Sequence, residues 1–121
     1  MTIGLIKKRQ IEPLDVKYSY TAFISQAGTD APTAAVLENG IGACVWGYVS
    51  AGVYRLTLMD AFTDGKTAPI DDIMMDQAGN VYTLNRINAD VMELKSYAAA
   101  NLSVTANGVL SSRYINIEVY I

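Results

Sequence analysis

The stretch KYSYTAFISQAGTDAPTAAVLENGIGACVWGYVSAGVYRLTLMDAFT, residues 17–63, switches every few residues between an alternating apolar run and a turn. In its first run, Tyr18, Tyr20 and Ile24 fall on one face, because successive side chains of a strand point to opposite sides of a sheet. Residues 27–32 then combine Gly, Asp and Pro, which are typical of turns. The pattern predicts half-buried strands joined by short connections.

The same alternation continues to the end of the chain. Residues 43–50 are apolar on both faces, which predicts a strand in the centre of a sheet or under an interface. The short connection around Gly52 predicts a hairpin between residues 43–50 and 53–59. The remaining predicted elements are strands at 16–25, 33–38, 81–87, 91–97, 102–106 and 112–121, an apolar segment at 70–75 and a helical turn at 97–101.

About eight short strands with turn signals at roughly ten-residue spacing are typical of β-sandwiches. Helical periodicity is nearly absent. We therefore predict an all-β fold, an antiparallel β-sandwich of immunoglobulin-like or jelly-roll type, over residues 16–121. The strand order is left open.

Residues 1–15 differ from the rest and predict an extended N-terminal arm. Lys7, Lys8 and Arg9 are three of only nine basic residues, and they follow a short apolar run, which is the reverse of a secretory signal. Terminal arms are disordered unless something holds them, so the arm either packs on its own domain or contacts a neighbour. The basic cluster is explained equally well by contact with a neighbour and by a solvated tail. The candidate partner-binding residues of the arm are Ile3, Leu5, Ile6, Lys7, Lys8, Arg9 and Ile11.

The composition limits the possible partners. Hydrophobic residues make up 51% of the 121 residues and charged residues 17%, which argues against disorder and suggests that another molecule covers part of the apolar surface. The net charge of −3 disfavours binding of nucleic acid over a broad face. No apolar run reaches the length of a membrane span, so we expect neither a nucleic acid nor a membrane as partner.

Reactive side chains are scarce. There is no histidine and the single cysteine is Cys44, so neither an intramolecular disulfide nor a Cys/His metal site can form. This usage predicts folding in a reducing cytosol. Between Ala43 and Val45, Cys44 is expected to be a small buried hydrophobic residue in an apolar strand. Nucleophilic catalysis would need a base other than histidine, so we predict a non-enzymatic protein without a cofactor.

The densest carboxylate group is Asp71, Asp72 and Asp76. A pair of carboxylates can hydrolyse glycosides, and alternating acidic residues can bind calcium. The spacing matches neither pattern. Because aspartate favours turns through local hydrogen bonds, the group predicts a solvated turn at the end of a strand.

Tyrosine is over-represented, with eight residues against two phenylalanines and one tryptophan. A ring with a polar tip serves cross-strand packing, protein interfaces and stacking on sugars, and all three interpretations stay open. Trp46 and Tyr48, on one face of the strand 43–50, are further candidate partner-binding residues.

The order of these segments also carries a resemblance. YSYTAFISQAGTDAPTAAVLENGIG (18–42), VWGYVSAGVYRLTL (45–58), AFTDGKT (61–67) and an Ile-, Val- and Tyr-rich last strand (114–121) resemble small β-sandwich virion accessory proteins of crAss-like and related Bacteroidetes-infecting tailed phages. The acidic, Met-rich IDDIMMD (70–76) and Cys44 depart from that pattern.

The resemblance implies a structural role without active-site residues. It implies a capsid auxiliary or decoration protein, or a head-fibre-base protein, which is made in the host bacterial cytoplasm and located in the virion. The expected partners are other virion proteins, with the chain forming a homo-oligomer or binding to a lattice. The alternative is a tail-associated or carbohydrate-binding module used in host adhesion.

Overall fold

The computed structural model describes residues 17–70 and 73–120, without the side chain of Ile70. All regular structure in these ranges is β, in nine strands. The arm and the domain boundary near residue 16 lie outside the described residues. No helix within the described ranges is long and apolar enough to cross a membrane. The strands are β1 (Lys17–Ser25), β2 (Thr33–Asn39), β3 (Val45–Ser50), β4 (Val53–Thr57), β5 (Thr67–Ile70), β6 (Ile73–Met75), β7 (Val81–Asn88), β8 (Val91–Tyr97) and β9 (Arg113–Tyr120).

The strands form two antiparallel sheets, which confirms the predicted β-sandwich. The four-stranded sheet has the order β2-β1-β9-β5, and the five-stranded sheet has the order β3-β4-β8-β7-β6. The first and last described strands therefore pair in the middle of one sheet, with Tyr18 opposite Val119 and Ile24 opposite Arg113.

The core lies between the two sheets and follows from the period-two patterns. In β1 and β9 the side chains of Tyr20, Ile24, Ile115 and Ile117 point inward and are buried. The facing sheet contributes the alternate residues of β4, β7 and β8, and two loop residues close the core. These are Tyr54, Leu56, Tyr82, Leu84, Met92, Leu94, Phe62 and Leu110.

A buried polar network ties the two sheets together at one end of the sandwich. The Oε1 of Gln26, just after β1, accepts hydrogen bonds from the Tyr54 hydroxyl at 2.6 Å and from the Gly108 N–H at 2.8 Å. Its Nε2 donates to the Gly28 carbonyl at 2.8 Å. Since buried polar atoms are costly without partners, this network fixes how β1 lies against β4.

Three β-bulges interrupt the ladders, and each adds an exposed apolar residue. Leu37 is the extra residue of β2 opposite β1, Val49 that of β3 opposite β4 and Ile87 that of β7 opposite β8. All three side chains are exposed. An extra residue leaves the alternation of its strand, so period-two counting does not identify these positions.

Two strand predictions are corrected by the sheet order and by a loop. Residues 43–50 were predicted for a sheet centre or an interface; the sheet centre is wrong, because β3 is an edge strand among the described residues, and the interface stays a prediction. The strand predicted to end at Met59 ends at Thr57, because the Ala61 N–H donates to the Leu58 carbonyl at 3.2 Å and closes a turn. The apolar segment 70–75 contributes to β5 and β6, which lie in different sheets.

Neither the helical turn at 97–101 nor the strand at 102–106 forms. The Asn101 N–H donates to the Ala98 carbonyl at 3.0 Å, which closes a single turn. The Asn101 side chain then accepts from the Ser103 N–H and hydroxyl at 3.1 and 2.6 Å. Asparagine stabilises turns through such local bonds, so this segment is a loop.

Candidate functional site

A cleft of about 440 Å³ opens at the end of the sandwich where β1 begins and β9 ends. We call it the terminal cleft. Its first wall contains Tyr18 of β1 with Val119 and Tyr120 of β9, and its second wall contains Leu58 and Met59. Ile41, Gly42, Asp60, Ala61, Thr63 and Lys66 complete the lining. The volume is within the usual range of ligand-binding pockets.

The terminal cleft exists because the core is unfilled at this end. Tyr18 has the same parity as the buried Tyr20, Ala22 and Ile24, so its side chain belongs to the inward face of β1. It is nevertheless 49% exposed. A core-facing tyrosine with half of its surface uncovered shows that this end of the sandwich can accept further apolar side chains.

The second wall is held in place by the β7–β8 turn. The Asp60 N–H donates to Asp90 Oδ1 at 2.9 Å, and the Phe62 N–H donates to the Ala89 carbonyl at 2.8 Å. Asp60 has a φ of 58°, in the left-handed region, and Phe62 is buried. This backbone leaves Met59 78% exposed at the cleft.

A second apolar surface lies on the outer side of the five-stranded sheet. On the edge strand β6, Ile73 and Met75 are each 70% exposed, whereas Met74 between them packs against the core. On the opposite edge, Val45 and Val49 of β3 are also exposed. Large exposed apolar groups of this kind mark interaction sites when they are contiguous.

The centre of this outer side is charged. Arg55 Nε donates to Glu93 Oε2 at 3.1 Å, and Lys95 Nζ lies 3.7 Å from Glu93 Oε1. Arg55 and Glu93 face each other on β4 and β8. The ion pairs therefore separate the apolar β6 edge from the apolar β3 edge.

The outer side of the four-stranded sheet is aromatic at both ends and polar between them. Phe23 and Tyr114, opposite each other on β1 and β9, contact edge to face with ring centroids 5.8 Å apart. Tyr120 lies at the other end and its hydroxyl donates to Glu118 Oε1 at 2.8 Å. Between them, the buried Oδ1 of Asn116 has no hydrogen-bond partner.

Lys17, Glu118 and Tyr120 form a small network on this outer side. Lys17 Nζ donates to Glu118 Oε2 at 2.9 Å. Hydrogen bonds from Lys17, then from Tyr120, lower the pKa of the Glu118 carboxyl. The bond to Glu118 in turn raises the pKa of the Tyr120 hydroxyl. Glu118 is therefore an ionised carboxylate that accepts hydrogen bonds from Lys17 and Tyr120.

Comparison with protein-family models, with curated proteins and with solved structures found no match to this chain.

Most of the predicted partner-binding residues lie outside the described residues, and the other two face inward. The seven in the arm lie outside the described residues. Trp46 and Tyr48 are half-buried on the inner face of β3. Trp46 Nε1 donates to the Tyr20 hydroxyl at 3.1 Å, and the Tyr48 hydroxyl accepts from Asn107 Nδ2 at 3.0 Å. Both rings thus connect β3 to the rest of the sandwich.

Cys44 precedes β3 and does not lie within it. Its thiol is half-buried, and burial raises its pKa above the ordinary value for cysteine. The prediction of an apolar strand position is therefore wrong, since the Cys44 N–H bonds the Gly42 carbonyl at 2.9 Å in a loop. The expectation of a poorly activated thiol agrees with the raised pKa.

Asp76 occupies a turn, as predicted, while Asp71 and Asp72 lie outside the described residues. Its Oδ1 accepts from the N–H groups of Ala78 and Asn80 at 2.9 and 3.0 Å. Its Oδ2 accepts from Asn80 Nδ2 at 2.9 Å, and this bond is the main cause of a lowered pKa. Within the described ranges, no group of three or more Cys, Asp or Glu side chains could hold a metal ion.

The exposed methionines and the terminal cleft were missed by sequence reasoning. Met59 was assigned to a strand, and Ile73 and Met75 to an undivided apolar segment. Strict alternation within Ile73-Met74-Met75 would have separated the inward Met74 from its neighbours. No sequence signal indicates that the space beside Tyr18 is unfilled.

Proposed function

We propose that this chain is a non-enzymatic structural component of a tailed-phage virion, a capsid auxiliary or decoration protein or a head-fibre-base protein. In this role it docks on neighbouring subunits through its N-terminal arm and its exposed apolar residues. The resemblance of residues 18–67 and 114–121 supports the virion assignment. The single observation that carries the assembly role is the outward exposure of Met59, Ile73 and Met75 on a rigid sandwich.

The energetics favour docking at several points. Complete burial of a Met, Ile or Leu side chain contributes about 1.5–3 kcal/mol. Association of two free proteins costs roughly 4–15 kcal/mol in lost rigid-body freedom, so one exposed edge gives weak binding. A virion lattice presents many copies at fixed spacing, and simultaneous contacts raise the overall affinity without new interactions.

The arm adds a second contact to this exposed surface. Its apolar residues include Ile3, Leu5, Ile6 and Ile11, and Lys7, Lys8 and Arg9 form a basic cluster among them. Ordering each residue costs about 1–2 kcal/mol of backbone entropy, which offsets much of the burial. We therefore expect the arm to give selectivity for the docking site and only modest affinity per copy.

The test is incorporation into particles. Virions are purified from host cells that produce either the full chain or a variant lacking residues 2–10, and the chain is quantified by mass spectrometry. We expect the full chain in stoichiometric amounts and the shortened variant to be reduced at least about tenfold. Soluble expression and an unchanged unfolding midpoint control for loss of folding. Full occupancy by the shortened variant would contradict the role of the arm.

A carbohydrate-binding module for host adhesion is a second candidate, favoured by the outer side of the four-stranded sheet. Phe23, Tyr114 and Tyr120 are exposed aromatic side chains on this side. Aromatic rings with a polar tip suit sugar rings.

A glycan array tests this candidate with the full chain and two variants. Binding that is lost in Tyr114→Ala and kept in Tyr97→Ala, a tyrosine of the other sheet, would support it. Absence of binding to every glycan would count against it. Because Trp46 faces inward, its fluorescence is a poor reporter for a ligand on this outer side.

A further inference from the structure

The terminal cleft lies at the end of the domain where the described chain begins. The described chain starts at Lys17, and the next residue, Tyr18, lines the cleft. Residues 1–16 are therefore tethered at the mouth of the cleft. The cleft has apolar lining residues and lies where an apolar arm joins the domain. The arm that it receives is either that of its own chain or that of another copy.

We propose that the terminal cleft binds the N-terminal arm of a second copy of this chain, through the apolar run Ile3-Gly4-Leu5-Ile6. This inference rests on the proposed assembly role and names the receiving site of the arm. Two copies that face each other at this end exchange their arms, so that each cleft holds the partner's arm. Such a reciprocal contact is isologous and closes a dimer.

The length of the arm allows this exchange. Sixteen residues span at most about 55 Å, whereas a domain of this size has a radius of gyration of about 14 Å. The arm can therefore cross to another subunit. To enter its own cleft, the chain would have to reverse direction before Lys17, where β1 begins.

The lining of the cleft matches the apolar run. Ile41, Leu58 and Met59 provide aliphatic contacts, and Tyr18 provides a ring. Because Tyr18 already points toward the core, an aliphatic side chain beside it would complete the packing between the sheets. Burial of such side chains is the main favourable term in association.

The charges around the cleft match the residues that follow the run. Lys7, Lys8 and Arg9 come directly after Ile6. The second wall carries Asp60, whose N–H is held by Asp90, and Asp64 lies in the same loop region. Against the three carboxylates of Asp60, Asp64 and Asp90, this region has two cations, Lys66 on the lining and Arg86, whose Nη1 lies 3.7 Å from Asp64 Oδ1. With the apolar run in the cleft, the basic cluster lies at this acidic rim, where opposite charges steer association.

The receiving wall is preformed. Asp90 and Ala89 hold the backbone of Asp60 and Phe62, so Met59 is presented without a rearrangement of the loop. Binding to a preorganised surface avoids part of the entropic cost of association. The ordering cost then falls on the arm alone.

The experiment uses the full chain at about 100 µM, a concentration at which weak homodimers are populated. Molar mass is measured by size-exclusion chromatography with light scattering, and protection of the arm is measured by limited trypsin digestion at Lys7, Lys8 and Arg9. Met59→Lys adds a charge inside the cleft. Leu102→Lys is the matched control, because it changes an exposed apolar residue that lies outside the cleft and outside the β6 edge.

The expected result is a dimer with a protected arm for the full chain and for Leu102→Lys. Met59→Lys should raise the dimer dissociation constant at least about tenfold and expose the arm to trypsin, with an unchanged unfolding midpoint. A monomer with a protected arm would place the arm in its own cleft and overturn the inference. A monomer with a cleaved arm, or a dimer unaffected by Met59→Lys, would overturn it too.

This outcome is separable from that of the proposed function. If the chain is monomeric yet its incorporation into virions depends on residues 2–10, the arm binds another virion protein and only the present inference falls. If the cleft-dependent dimer forms and the chain is missing from virions, the inference stands and the virion role falls.

Discussion

The main-chain N–H of Asp60 donates to the Oδ1 of Asp90 at 2.9 Å, which links the loop after β4 to the turn between β7 and β8. Asp60 has a left-handed backbone conformation, which aspartate tolerates better than most residues. The neighbouring Met59 is thereby directed to solvent at the terminal cleft. One hydrogen bond within the sandwich thus determines the shape of the surface that we propose for docking.

Substitution of Asp90 by alanine should loosen this loop. The Asp60 N–H would lose its acceptor, and we expect the free energy of unfolding to fall by about 1–2 kcal/mol in urea denaturation. Asp64→Ala is the control. The Asp64 carboxylate is exposed, and its ion pair with Arg86 Nη1 is long, at 3.7 Å. Exposed pairs of this kind contribute little. Equal stability of the two variants would argue against the bond.

Two glycines with the same backbone angle should respond differently to alanine. Gly52 has a φ of +71° and its added Cβ would lie 2.4 Å from the Ala106 nitrogen, whereas Gly108 has a φ of +70° with open space around it. Gly108→Ala should cost about 1 kcal/mol for the left-handed conformation alone. Gly52→Ala also forces the 96–106 contact apart, so we expect a loss of roughly 3 kcal/mol or more.

The difference between these two midpoints in thermal unfolding measures the crowding at Gly52. Similar midpoints would mean that the loop at Ala106 does not pack against the β3–β4 hairpin.

The Cys44 thiol should react slowly in the folded protein. Burial raises its pKa, so at pH 8 the folded chain has a smaller thiolate fraction than an unfolded chain. Because the thiolate is the nucleophile, we expect alkylation by iodoacetamide to be at least about tenfold slower in buffer than in urea. Faster alkylation of the folded protein would show an activated thiol and reopen a chemical role.

The Lys17–Glu118–Tyr120 network should make stability depend on acid. The folded pKa of Glu118 is lowered, so its contribution is complete above the ordinary glutamate pKa, about 4.3. It is lost as the pH falls through the folded pKa. Glu118→Gln should therefore lower the melting temperature by roughly 2 °C at pH 7, and the difference should shrink as the pH falls through the lowered pKa of Glu118.

Asp64→Asn serves as the control for removal of an exposed carboxylate. A difference between wild type and Glu118→Gln that grows on acidification would contradict the assigned sign.

The regular part of the sandwich could be predicted because burial of one face enforces alternation. Tyr20, Ile24, Ile115 and Ile117 all occupy the predicted inward positions. The hairpin at Gly52 was predictable from its turn chemistry. These features depend on neighbours in sequence, which a single chain displays directly.

The features that form the candidate site depend on contacts between distant segments. The loop backbone at Asp60 is held by the side chain of Asp90, which is 30 positions away. The exposure of Tyr18 follows from space that the opposite sheet does not fill, and the bulge residues Leu37, Val49 and Ile87 are outside the alternation. The pattern of apolar residues in a sequence cannot show which of them stay exposed because no other segment packs on them.

The most direct test of the assembly role is the content of intact particles. Virions from the host that encodes this chain are purified by density gradient and digested, and the chain is quantified against the major capsid protein. The proposed function predicts the chain in a fixed ratio to the capsid protein in every gradient fraction that contains particles. A chain that is abundant in the cell lysate and missing from those fractions would contradict it.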